Sequence, residues 1–159
     1  MIKVTLITLG KLKEKYLREA SEEYIKRLSR YCDLSVLELN PVALSDNPSD
    51  LQIDSALKKE AEQILSKIPE KTFKIALCVE GKQLSSEAFA EKLESLKTSG
   101  QGVCFIIGSS YGLNEIIKQK ADLRLSLSAM TFPHQLFRVI LLEQIYRGFK
   151  INEGSTYHK

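Results

Sequence analysis

Two stretches of this 159-residue chain, residues 73–79 and 103–107, are apolar almost without interruption. A strand with no polar face has to be covered on both sides, which is the situation of a parallel sheet held between layers of helix. The remaining segments supply the partners. Residues 2–9 are apolar and β-branched and stop at Gly10-Lys11, residues 34–39 read as a second strand, and Leu123, Leu125 and Leu127 alternate with polar residues as a fifth. Between these lie helical stripes: Leu17, Ala20, Tyr24, Leu28 and Tyr31 along residues 13–30, then Ile53, Leu57, Ala61, Ile64 and Ile68, then Phe89, Leu93 and Leu96. Ser49 or Asp50 is placed to cap the second helix and Ser85 or Ser86 the third. Residues 113–120 and 134–150 complete the set. Strands alternating with helices of this length imply an α/β fold, a mostly parallel sheet with helices on both faces, in a single domain spanning residues 1–159.

The last helix carries a second message. Leu136, Val139, Ile140, Leu142, Ile145, Tyr146 and Phe149 run round most of its circumference, and Phe137 and Leu141 fill the rest. A helix apolar on nearly all sides is buried on nearly all sides, and a chain this small has little interior to offer. A second copy packed against that helix, as a twofold homodimer, is therefore expected; complete burial within one chain is the alternative.

Charge and cysteine usage mainly exclude. A net charge of +3 permits an RNA partner without demanding one. Cys32, Cys78 and Cys104 share no metal-ligand spacing, and with only two histidines no metal site is expected. Three unpaired thiols suit a reducing, cytoplasmic location. The longest apolar runs, such as residues 139–142, are far short of a bilayer span, and no leader segment is read at the start, so no membrane partner is expected.

Three loops follow strand ends: residues 80–84, 108–112 and 128–133. Ligands of open parallel sheets bind at those ends, so the three loops are natural walls of one pocket. The G-x-x-x-G spacing of Gly108 and Gly112 is neither a dinucleotide fingerprint nor a phosphate loop. A cofactor without phosphates, its adenine held by backbone groups, suits that absence. A plain tight turn would use the same glycines. Met130 and Phe132 are unusual for a wet loop; they line a site or plug the core.

Several residues together resemble a known family. They are Gly10-Lys11, Ile107-Gly108 with Gly112-Leu113, and Leu125-Ser126-Leu127-Ser128 with Met130-Thr131-Phe132-Pro133-His134. To these are added Arg138, Glu143-Gln144, Tyr146-Arg147 and the terminal Tyr157-His158-Lys159. Along its whole length the chain resembles the bacterial ribosomal RNA large-subunit methyltransferase H family, SPOUT-class enzymes that methylate N3 of a pseudouridine in large-subunit (23S) ribosomal RNA. It departs from the family at Ser109, where a second glycine is usual. The resemblance implies a C-terminal trefoil knot, a homodimer, and S-adenosylmethionine as methyl donor without a metal. It implies that Leu77, Gly108, Leu127, Ser128, Ala129, Met130, Thr131 and Phe132 contact that cofactor. It implies ribosomal RNA, met in the assembled ribosome, as the partner of Arg138, Arg147, Tyr157, His158 and Lys159. His158 is the expected general base for the N3 proton, and Arg138 the expected stabiliser of charge developing on the ring. A salt bridge to Glu143 or to the partner chain would equally occupy Arg138 and Arg147. Two other functions stay open at this stage: a SPOUT enzyme for transfer RNA, and a non-catalytic RNA-binding ribosome assembly protein.

Overall fold

The structure, a computed structural model, describes residues 1–158. Five strands, β1 (Ile2–Leu9), β2 (Cys32–Leu39), β3 (Thr72–Gln83), β4 (Gly102–Ile107) and β5 (Leu123–Ser126), form one sheet in the order β2-β1-β4-β3-β5. Every pairing is parallel. The helices are α1 (Lys15–Leu28), α2 (Asp50–Lys67), α3 (Ser86–Thr98), α4 (Glu115–Lys120) and α5 (His134–Asn152).

Side-chain alternation along the strands sorts the core into two layers. Val4, Leu6, Ile75, Leu77, Val103 and Phe105 face α1, α3 and α5, meeting Leu28, Leu93, Leu141 and Ile145. Ile7, Leu9, Ala76, Cys104 and Ile106 face the other way, toward Ala61 and Ile64 of α2 and Ile117 of α4. Helices thus cover both faces, as the apolar strands require. Of the alternative caps, Ser49 accepts from the Gln52 amide within a full capping box, and Ser85 accepts from the Ala88 amide.

Two expectations about elements are corrected. Glu80-Gly81-Lys82 is not a turn after β3, because the strand continues to Gln83. Leu77 and Lys82 both pair with Leu125, so the residues between them bulge out of the ladder. Gly81 is needed there: a Cβ would stand 2.8 Å from the backbone of Arg124 and Leu125. Leu127 lies beyond β5, which ends at Ser126 and frees the residues after it to form a loop.

α5 lies between α1 and α3, and Arg138, Val139, Leu141, Leu142, Ile145, Gly148 and Phe149 are buried by the chain's own layers. Leu136, Phe137 and Ile140 stay half-buried. Ile145 therefore belongs to the chain's own core, and Ile140 to the apolar face left over.

Candidate cofactor pocket

A cavity of ≈ 400 Å³ opens at the C-terminal ends of β3, β4 and β5. The β3 bulge, with Cys78, Val79 and Glu80, forms one wall; residues 107–113 form a second; Leu127, Ser128, Met130, Thr131 and Phe132 form a third. Seven of the eight predicted cofactor residues, including Leu77 and Gly108, line this cavity, and Ala129 does not.

Each wall is fixed locally. A Cβ on buried Gly108 would lie 2.2 Å from the carbonyl oxygen of Gly112, so glycine is demanded by the loop's own return path. That path closes where the Gly112 amide, at φ +89°, donates to the Ser109 carbonyl at 2.8 Å. In the third wall the Ser126 hydroxyl donates to the Ser128 carbonyl (3.0 Å), and the Ser128 hydroxyl accepts from the Met130 amide (2.9 Å). Met130 is left 76% exposed, which excludes the core-plug reading for it. Phe132 instead leans on Phe137 with ring centroids 6.5 Å apart.

Ser109 is tied down from behind. Its hydroxyl donates to Glu60 at 2.8 Å, and the other oxygen of that carboxylate accepts from the Val42 amide at 2.9 Å. Glu60 is 4% exposed. Sequence reading missed it, although a glutamate seven residues after Ile53 and one before Ala61 sits on the apolar stripe of its helix, where a carboxylate needs a reason. At the mouth, Glu80 pairs with Lys118, which holds the carboxylate below its ordinary range. Burial raises the Cys78 thiol above its usual value, with the neighbouring Glu80 charge adding to the effect.

His134 also lines the cavity and was singled out beforehand only as part of a motif. Its Nε2 lies 3.1 Å from the Leu9 carbonyl oxygen. A carbonyl only accepts, so Nε2 carries the hydrogen, and in the neutral ring Nδ1 keeps its lone pair.

Of the residues expected to meet RNA, Arg138, Arg147, Tyr157 and His158 do not line the cavity. Arg138 is 6% exposed; its guanidinium donates to Glu38 (2.6 Å), Thr8 Oγ1 (2.9 Å) and the Gly10 carbonyl (2.8 Å). Held inside by a carboxylate 100 residues away, it braces β1, β2 and α5 within the chain. Its partner is Glu38, not Glu143. Arg147 takes Glu143 instead, at 2.6 Å, and lies under the Tyr157 ring, 4.9 Å from the centroid. Tyr157 packs edge-on against Tyr146 at 5.1 Å, and His158 Nε2 lies 2.8 Å from Glu87. The tail is thus docked on its own α3 and α5 rather than loose, and none of these partners lines the cavity. Lys159 lies outside the described residues. Among the described residues no group of three or more histidine, cysteine or acidic side chains could hold a metal. Nor, among the described residues, is any helix long and apolar enough to cross a membrane.

Comparison with known proteins identifies the family of the chain. A family model described as "Predicted SPOUT methyltransferase" matches residues 2–158. A ribosomal RNA large subunit methyltransferase H of Clostridium beijerinckii is 50% identical over 157 residues, covering 98% of this chain and 99% of that protein. One of Bifidobacterium adolescentis is 52% identical over 159 residues, covering 99% and 100%. A solved structure, a probable methylase family protein from Haemophilus influenzae Rd KW20, superposes over 100% of this chain and 72% of its own. Its TM-score is 0.57 at 12% identity, a likeness of fold alone.

Proposed function

The chain belongs to the SPOUT methyltransferases, within the ribosomal RNA large-subunit methyltransferase H family, and from that premise we propose that it methylates N3 of a pseudouridine in large-subunit ribosomal RNA, using the cavity at the strand ends. The observation that carries the reading is the convergence of three separate strand-end loops on one cavity. Its chemistry fits S-adenosylmethionine. Apolar Leu77, Ile107, Leu127 and Phe132 suit an adenine, the ionised Glu80 suits ribose hydroxyls, and the G-x-x-x-G spacing of Gly108 and Gly112 is not that of a phosphate loop. When bound, that cofactor supplies an electrophilic methyl group on a sulfonium sulfur.

The chain's own residues have two tasks, alignment and removal of a proton. Gly108 and the loop around Ser128 set the floor against which donor and acceptor meet. N3 of the base carries a hydrogen that leaves as the N–C bond forms. Within one chain, His134 is the histidine at the cavity, with Nδ1 free to accept it. In its own chain His158 lies against Glu87, away from the cavity, so on this reading the homodimer supplies the tail to the partner's cavity. The half-buried Leu136, Phe137 and Ile140 support that dimer. The trefoil knot of the family belongs to the same reading.

Assembled ribosomes from cells lacking the protein, incubated with it and the methyl donor, should gain one methyl group on a pseudouridine of the large-subunit RNA by mass spectrometry; no gain, or a gain on transfer RNA instead, would overturn the proposal. Mixing a Gly108→Val chain with a His158→Ala chain separates the origins of the tail. If each tail serves its partner's cavity, random exchange restores about a quarter of normal activity, whereas a tail serving its own cavity restores none.

A further inference from the structure

The two arginines expected to meet RNA are engaged within the protein, which leaves open what grips the nucleic acid. Residues 10–15 link β1 to α1 and run as Gly-Lys-Leu-Lys-Glu-Lys. Leu12 is buried against Leu17 and Val139, while Lys11 and Lys13 on either side of it are exposed. Among the described residues neither lysine has an acidic partner within ion-pair distance, and Lys15 has only an exposed one, Glu19 at 3.7 Å.

The segment is held far more firmly than a connecting turn requires. Gly10 takes φ +106°, its amide donates to the Leu39 carbonyl at 2.7 Å, and its carbonyl accepts from Arg138. The Lys13 amide donates to the Gln135 side chain at 2.8 Å, and Arg18 donates to the Lys13 carbonyl at 2.6 Å. These bonds also locate it. Leu9, just before the segment, accepts from the cavity-lining His134, and Gln135 is the next residue of α5. The lysines therefore stand on a braced ledge beside the pocket. Buried Arg138 serves that ledge by fixing its first residue.

We propose that Lys11 and Lys13 bind backbone phosphates of the ribosomal RNA on either side of the target nucleotide. The inference rests on the methyltransferase reading for the identity of the ligand. A chain of net charge +3 cannot hold RNA by diffuse attraction, so a few well-placed cations next to the reaction site must carry the phosphate contacts. A ledge already rigid loses little freedom on binding, which makes each contact worth more.

The test uses the full chain and assembled ribosomes from cells lacking it. A Lys11→Gln/Lys13→Gln chain should bind S-adenosylmethionine normally by calorimetry and keep its kcat. Its KM for the ribosomes should rise about tenfold, and its binding should lose about 1.5 from the slope of log K against log salt, close to 0.7–0.9 per phosphate contact. The Lys→Arg pair should restore the slope. An unchanged slope with unchanged KM overturns the proposal, as does a fall in kcat at unchanged KM, which would make the ledge a structural support. If the unaltered protein methylates nothing, the methyltransferase reading fails, while the salt slope still decides whether these lysines hold RNA.

Discussion

Gly108 and Cys78 show how single atoms decide the pocket. A Gly108→Val substitution drives carbon into the Gly112 carbonyl, 2.2 Å from the first added atom, so the loop must open before the cofactor meets it. Calorimetry of a folded Gly108→Val chain should show at least about a hundredfold weaker binding of S-adenosylmethionine, on the order of 3 kcal/mol; normal affinity would remove the loop from the site. Thiol chemistry gives an independent check. Burial pushes Cys32 and Cys104 up to about 12, keeping them protonated and closed to reagents, whereas half-buried Cys78 faces the cavity. Alkylation of the native protein at mildly alkaline pH should modify Cys78 alone, slowly, and the cofactor should protect it. Ser109 calls for a stability measurement. Ser109→Gly strips one partner from the buried Glu60 carboxylate, a loss of about 1–3 kcal/mol that should lower the urea midpoint.

At the scale of elements, α5 sets the next expectation. Ile145 is fully buried within its own chain, so a charge there would unfold the protein and report nothing about assembly. Ile140 is the informative position: Ile140→Asp should leave a folded chain whose mass by light scattering is halved, and an unmodified protein already monomeric at micromolar concentration would refute the dimer. All five strands and all five helices were visible in the sequence, because covered parallel strands and striped helices leave different periods. The β3 bulge was not. Glu80-Gly81-Lys82 has the composition of a turn, and only the nearby backbone of Arg124 and Leu125 explains its glycine. The cavity could be located for the same reason as the strands, since parallel sheets put their ligand loops at one end. The roles of Arg138 and His134 could not, because Glu38 and the Leu9 carbonyl become their partners only when distant segments of the chain meet.

Four carboxylates of the described residues, Glu80, Glu87, Asp122 and Glu153, sit below their ordinary range, and Glu80 and Asp122, each paired with a lysine of a different element or strand position, show how this links stability to acidity. Lys118 holds Glu80 below the ordinary range; burial alone would raise Asp122, but the Lys74 amide and ammonium overcome it and lower this group too. A group whose folded pKa is depressed stabilises the protein above the ordinary carboxylate range and loses that contribution as the pH falls. The urea midpoint should therefore be flat from about pH 8 to pH 6 and decline below about pH 4.5. Lys74→Met should shrink the decline; an unchanged acid limb would show that the pair is not responsible. The strand order has a consequence for how the chain comes into being. β1 lies between β2 and β4, and β4 is not synthesised until residue 102, so the middle of the sheet waits half-paired while the ribosome continues. The larger core layer stays open longer still, since α5 that closes it is translated last. At about 5–20 residues per second, the apolar face of β1 is exposed for several seconds in every newborn molecule. Nascent chains stalled before residue 134 should be cut readily by protease and captured by chaperones, and chains released after α5 should resist both.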